Sequence, residues 1–255
     1  MNQQQEQLLT LLRQKRLVKV IAGIDNLDES RVLQVVKAAE LAGAGAMDVA
    51  AQPEIVKLAK ANTELPVFAS SIHAEELAQA IEAGADAAEI GNFDALYKNG
   101  FYMTAEELLA LTKKTQALFP KGTPLSVTIP GYLSTDAQIL LADELQSLGV
   151  TLIQTEGASK VISTTRSVQL LPAEEKAQLT LHNTQVLCRV VSIPVMTASG
   201  INLENIQEAF TMGAAAVGVG SAVNRLASQD EMVTMLRAMM QTVSQRRETK
   251  VELAS

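Results

Sequence analysis

One cysteine in 255 residues, Cys188, excludes an internal disulfide and fits a reducing compartment. Its apolar neighbours Val186, Leu187 and Val190 mark it as a core thiol rather than a nucleophile. There are two histidines, His73 and His182, and neither has a carboxylate or second histidine at ligand spacing, so no metal site is expected. The formal net charge is -7, and no run of lysine and arginine is interleaved with aromatics, which argues against nucleic acid as a partner. The opening residues MNQQQEQLLTLLRQKR lack the apolar core of a signal peptide, and no segment approaches the roughly 18 unbroken apolar residues of a membrane span. A cytoplasmic chain with no membrane partner is the expectation. GxSxG, P-loop and CxxC patterns are all missing, and Gly43–Ala46 reads as a helix end, not a dinucleotide fingerprint.

What is present is alternation. Short runs rich in valine and isoleucine are each followed by a segment of helical period: VKVIAGI from Val18, AMDVA from Ala46, PVFASS from Pro66, AAEIG from Ala87, PLSVTI from Pro124, LIQTE from Leu152, PVMTAS from Pro194 and AVGVGS from Ala216. Helices such as DESRVLQVVKAAELAG and TAEELLALTKKTQALF open on a capping Asp or Thr. Eight such units in a chain of this length predict a closed (β/α)8 TIM barrel of the α/β class, whereas an open doubly wound sheet usually has fewer strands. No linker divides the chain, so residues 1–255 read as one barrel, with 1–16 as a helix that caps its lower end through Leu8, Leu9, Leu11 and Leu12.

An internal repeat sets the register. A helix-ending glycine precedes the strand in GAGAMDVA, GADAAEIG, GVTLIQTE and GAAAVGVG, which aligns Asp48, Glu89, Gln154 and Gly218, and two residues on Ala50, Gly91, Glu156 and Gly220. Residues two apart face the same way, and a carboxylate turned towards the outer helices would be dry and unpaired, so these positions are expected inside. Gly218 is expected to leave a gap in that layer. Alignment of the odd strands on proline adds Ser126 and Thr128, and Lys19 takes the inward parity for the same desolvation reason. A lining of Lys19, Asp48, Glu89, Ser126, Thr128, Gln154 and Glu156 is far more polar than the usual barrel interior.

The stretch GAAAVGVGSAV, at the eighth strand, has almost no bulk, and the seventh strand ends in TASGI. In such barrels the loops after strands seven and eight often hold a phosphate on backbone N–H groups. Ser199, Gly200 and Ile201 would supply one loop, and Gly220 and Ser221 the other. The sixth connection, GASKVISTTRSVQLLP, brings Lys160 and Arg166 as a candidate lid over an anionic ligand. Asn92, Phe93 and Asp94 follow the fourth strand, where catalytic loops lie. Tyr97, Phe101 and Tyr102 come next, placed to flank a ring or to meet another subunit, which leaves a homo-oligomer open.

EIGNFDALY, LSVTIP, IQTEG, ASGI and GVGSAVNRL together resemble the family called hypothetical chloroplast frame twenty-three, found in cyanobacteria and plastids, across nearly the whole chain. The two phosphate-loop segments are also similar to those of thiazole synthase, phosphoribosyl isomerases and flavin-dependent nitronate oxygenases. The resemblance implies a phosphate-binding barrel and supplies no reaction.

The residues support an enzyme of lyase, isomerase or ring-forming type acting on a small phosphorylated metabolite. Glu89 would be its acid or base, Asp48 a second carboxylate, and Lys19 either a fixed cation or a Schiff-base amine. Thr128, Gln154, Glu156 and Asn92 would orient the substrate. A flavin mononucleotide (FMN) oxidoreductase whose cofactor phosphate fills the same loops, and a non-catalytic metabolite sensor or scaffold, are the alternatives.

Overall fold

The computed structural model describes residues 1–158 and 171–252, with the segments 161–162 and 167–168 between them. The candidate lid cations Lys160 and Arg166 lie outside the described residues. Eight parallel strands close into a barrel: β1 Leu17–Ile21, β2 Ala46–Ala50, β3 Val67–Ser71, β4 Ala87–Ile90, β5 Leu125–Ile129, β6 Leu152–Thr155, β7 Val195–Thr197 and β8 Ala216–Val219, with β1 paired to both β2 and β8. Helices follow the strands on the outside, among them Glu29–Ala42 after β1, Ala74–Glu82 after β3, Ala173–Val190 after β6 and the C-terminal Gln229–Glu252 after β8. A two-stranded antiparallel ribbon, Val161–Ile162 with Ser167–Val168, stands in the connection after β6. Among the described residues no helix is long and apolar enough to cross a membrane.

Local chemistry sets the element ends. Asp28 accepts the Arg31 N–H, and Ser134 that of Ala137, each satisfying a first-turn donor that has no intrahelical partner. Thr104 and Glu107 form a reciprocal capping box at Ala105–Leu118. Gly43 ends its helix at φ 70°, in the left-handed region that glycine enters without a Cβ penalty. β1 stops at Ile21, short of the run read from sequence, because Gly23 turns to φ 119° and leaves the extended region.

The strands divide two cores. Val18, Val20, Met47, Val49, Val67 and Ala69 face outward against the helices. Inside, the lower half is apolar: Leu17, Ala46, Phe68, Ala87, Leu152 and Met196 pack together, and Leu8 and Leu12 of the helix Gln3–Arg13 close the bottom. Asn2 and Gln5 tie that helix to Asp86 at the base of β4, through the Asp86 carboxylate and carbonyl respectively. The polar residues therefore occupy the upper half, towards the strands' C-terminal ends, where barrel active sites sit.

Candidate functional site

Lys19 projects inward from β1, fully buried. Its Nζ lies 2.6 Å from Glu89 Oε2 and 3.0 Å from Asp48 Oδ2, and donates to Gln154 Oε1 at 3.1 Å. The ammonium also stands 5.0 Å from the centre of the Phe68 ring beneath it, a cation–π contact. Gln154 Nε2 donates to Glu89 Oε1 at 2.8 Å and to Thr128 Oγ1 at 2.9 Å. Asp48 accepts the Ser70 hydroxyl at 2.6 Å and the Asn92 amide at 2.8 Å, and the same Asn92 amide reaches Ser70 Oγ at 2.9 Å. One hydrogen-bonded centre thus joins side chains from β1 to β6.

Backbone features above β4 complete it. Asn92 sits at φ 63°, a conformation Asn tolerates better than most residues, and this turn lays its side chain across the top of the centre. A Cβ on Gly91 would meet Thr128 Oγ1 at 1.9 Å, so only glycine lets β4 and the Thr128 side chain come this close.

Burial is the largest influence on the Lys19 ammonium and acts to lower its pKa, but the two carboxylates outweigh it and the net shift is upward. Lys19 is therefore charged at neutral pH. Burial raises the pKa of Glu89, Lys19 opposes it, and the negative charge of Asp48 adds to the rise. The arrangement is a fixed cation between two carboxylates, one of them biased towards holding a proton.

Glu156 belongs to a second cluster. Its carboxylate accepts from the Tyr97 hydroxyl and from the Gly131 N–H at 3.1 Å. Burial, with Asp94 nearby as a like charge, lifts its pKa to about 8, and burial likewise lifts Tyr97 well above the usual phenol value. Asp94 meets Lys176 Nζ at 3.2 Å and accepts the Ser199 hydroxyl at 2.5 Å.

The two loops proposed for phosphate differ. Ser199 and Gly200 take positive φ of 75° and 82°, and a Cβ on Gly200 would stand 3.0 Å from Ala177. The Ser199 hydroxyl is committed to Asp94, so this residue offers an anion only its N–H group. Gly220 precedes the short helix Ser221–Asn224, and a Cβ there would meet nothing nearer than 3.6 Å. Among the described residues the N–H groups of Gly200, Ile201, Gly220 and Ser221 find no acceptor.

One expectation needs correction. Gly218 leaves no gap: Ile21 Cδ1 and Ala198 Cβ come within 3.0 Å of where its Cβ would be, because the missing side chain lets both close over the strand. The aromatics after β4 pack on one another, Phe93 on Phe101 at 5.2 Å, Tyr97 on Tyr132 at 5.6 Å and Tyr102 on Tyr132 at 5.1 Å. Cys188 is partly buried, its thiol pushed up to about 11 by burial.

Lys19, Asp48, Glu89, Thr128, Gln154 and Asn92 therefore stand together, while Glu156 and the residues of the two loops stand apart from them. Lys176 is the neighbour that sequence reasoning did not single out, and for Tyr97, read there as placed to flank a ring or meet another subunit, the bond to Glu156 was not foreseen. Tyr97 arrives on a four-residue helix with no periodicity to announce it, and Lys176 lies inside the first turn of a long outer helix.

A family model described as "Protein of unknown function (DUF561)" matches residues 1–249. A relative named "Uncharacterized protein ycf23", from Cyanophora paradoxa, is 40% identical over 230 residues, covering 88% of this chain and 91% of its own. The chain belongs to this family, the one its sequence motifs resemble. Among solved structures it is similar to (S)-3-O-geranylgeranylglyceryl phosphate synthase from Thermoplasma acidophilum in complex with substrate sn-glycerol-1-phosphate (TM-score 0.63, 14% identity, 95% of this chain and 99% of that one). It is also similar to 3-hexulose-6-phosphate synthase from Salmonella typhimurium (TM-score 0.62, 13% identity, 89% and 98%). At these identities the likeness is one of fold.

Proposed function

We propose that this family member is an enzyme that binds a small phosphorylated metabolite at the β7 and β8 loops and performs proton-transfer chemistry, of lyase, isomerase or ring-forming type, over the Lys19 centre. The observation that carries the reading is Lys19 held between Asp48 and Glu89 in the upper half of the barrel interior. Buried ion pairs gain little stability over apolar packing, so their position at the mouth favours a chemical role.

Within this reading each residue has a task. Lys19, charged and triply engaged, is no Schiff-base nucleophile; it stabilises negative charge developing on substrate oxygen. Glu89 takes up and returns the proton, aided by its upward shift, and Asp48, held by the Ser70 hydroxyl and the Asn92 amide, keeps Lys19 charged and in place. Gln154 and Thr128 fix the orientation of the Glu89 carboxylate. The ligand class is supported by the unsatisfied N–H groups of the two loops, by the space beside Gly220, and by the phosphorylated compounds in the names of the similar barrels.

The test is thermal unfolding in inorganic phosphate. A ligand at about 100 times its Kd stabilises the folded state by about 2.7 kcal/mol. Wild type should show the corresponding rise in Tm. Gly220→Asp, which fits sterically but places a carboxylate at the anion, should fold and show none. Equal shifts in the two proteins would refute the site.

A further inference from the structure

A cavity of about 320 Å³ opens on the C-terminal face beside the centre, between the ends of β1, β2 and β3. Its polar wall is Asp25, Gln52, Ser70, Ser71, His73 and Glu76, and its apolar wall includes Ile24, Leu27 and Leu96. Ser70 is common to both places: its hydroxyl lines the cavity and donates to Asp48 at 2.6 Å. A group seated there is one hydrogen bond from the carboxylate that touches Lys19.

The chemistry of the wall is one-sided. Among the described residues no lysine or arginine lines it, while Asp25 and Glu76 both do. Glu76 accepts the Ser71 hydroxyl at 2.5 Å, and Asp25 has a loose pairing with the exposed Lys98 at 3.7 Å. The Gln52 amide and the His73 ring make no hydrogen bond among the described residues. Such a wall accepts hydrogen bonds and repels anions, the opposite of the β7 and β8 loops.

We propose that the cavity is the binding site for the non-phosphate end of the substrate, and that this end is a non-anionic group rich in hydrogen-bond donors, a polyol or amine. The substrate is then a monophosphate with its charge at one end only; bisphosphates and phosphorylated acids are excluded. The inference rests on the phosphate reading above. β8 adjoins β1, so the mouth of the cavity, at the ends of β1 and β2, lies one to two strand spacings of about 4.8 Å from Gly220, within reach of a six-carbon chain with a terminal phosphate.

Calorimetry on the full chain with three probes tests this. Glucitol 6-phosphate and 6-phosphogluconate differ only in a terminal hydroxymethyl against a carboxylate, and inorganic phosphate reports the loops alone. Glucitol 6-phosphate should bind roughly tenfold or more tightly than either of the others. Asp25→Asn combined with Glu76→Gln should shrink the preference over 6-phosphogluconate to about threefold or less, with affinity for inorganic phosphate unchanged, which also shows that the variant is folded. Gln52→Leu, entering the same cavity from β2, should weaken glucitol 6-phosphate alone. If wild type binds phosphate but treats the two sugar derivatives alike, or if the double variant keeps the full preference, the cavity assignment is overturned and the loop reading stands. If wild type does not bind phosphate, the loop reading fails and the cavity assignment falls with it.

Discussion

Lys19 is fully buried, so its charge depends chiefly on its partners, and replacing them one at a time separates the stabilising role from the chemical one. Lys19→Met leaves Asp48 and Glu89 facing each other without a cation and should cost about 3–5 kcal/mol in urea unfolding. Glu89→Gln is gentler: the Asp48 pair at 3.0 Å remains and the new amide oxygen can still face Lys19, although its nitrogen then opposes the Gln154 amide nitrogen. It should therefore cost clearly less than the Lys19→Met loss. Turnover should nonetheless fall about 10²- to 10⁴-fold, the usual worth of a positioned proton-transfer group. The substrate for that assay is obtainable by native mass spectrometry of protein from its own cells, which weighs any retained ligand and would register bound FMN directly. A Glu89→Gln protein as destabilised as Lys19→Met, with ligand binding lost, would mark the trio as a structural ion pair. The double variant should lose less than the sum of the single losses, because the two residues share one interaction.

At the scale of the elements, the end of β4 and the bottom plug make opposite demands. Gly91 must be small because Thr128 fills the place of its Cβ, so Gly91→Ala should displace Thr128, break its bond to Gln154 and cost about 1–3 kcal/mol. Leu12 must be large: Leu12→Ala in the apolar lower half should cost about 2–5 kcal/mol while ligand affinity stays unchanged, since the centre lies on the other side of Phe68. Urea midpoints and phosphate titrations of the two variants check both. The same contrast explains what could be read in the sequence. The parity of Asp48, Glu89 and Gln154 was legible because alternation in a strand has period two, and only one face of each strand can receive a carboxylate with a partner. The Glu156–Tyr97 bond was not legible. Tyr97 reaches β6 only because Asn92 turns left-handed and restarts the chain as a short helix, and no spacing rule carries that turn. Lys176 was hidden for a related reason: in sequence it is one more cation on an amphipathic helix, and the approach of Gly200 to Ala177, with the Thr180 hydroxyl donating to the Ser199 carbonyl, brings that helix to the β7 loop.

The whole molecule holds its upward-shifted carboxylates, Glu89 and Glu156, buried, and this gives its stability a pH dependence unlike that of a protein held by surface ion pairs. Glu156 titrates near 8 when folded and near 4.5 in the free side chain, so the native state binds the extra proton between those values. The contribution is fully present below about pH 4.5 and is lost as pH rises to about 8, because stability falls with pH wherever the folded state holds more protons than the unfolded one. Glu89 is shifted in the same direction and adds to the same slope. Lys19, raised above its usual 10.5, loses its contribution only at more alkaline pH, outside this window. Exposed Glu75, lowered by Lys114, has the opposite sign, but its effect is confined below about pH 4.5. The expected profile is a Tm maximum on the acid side of neutrality and a steady decline towards pH 8. Glu156→Gln should flatten much of that decline, because the amide still accepts from Tyr97 and from the Gly131 N–H without a proton to lose. Calorimetric Tm values for both proteins across this range decide the matter: parallel profiles would show that Glu156 is already ionised in the native barrel, and would remove it as a proton-holding group at the mouth.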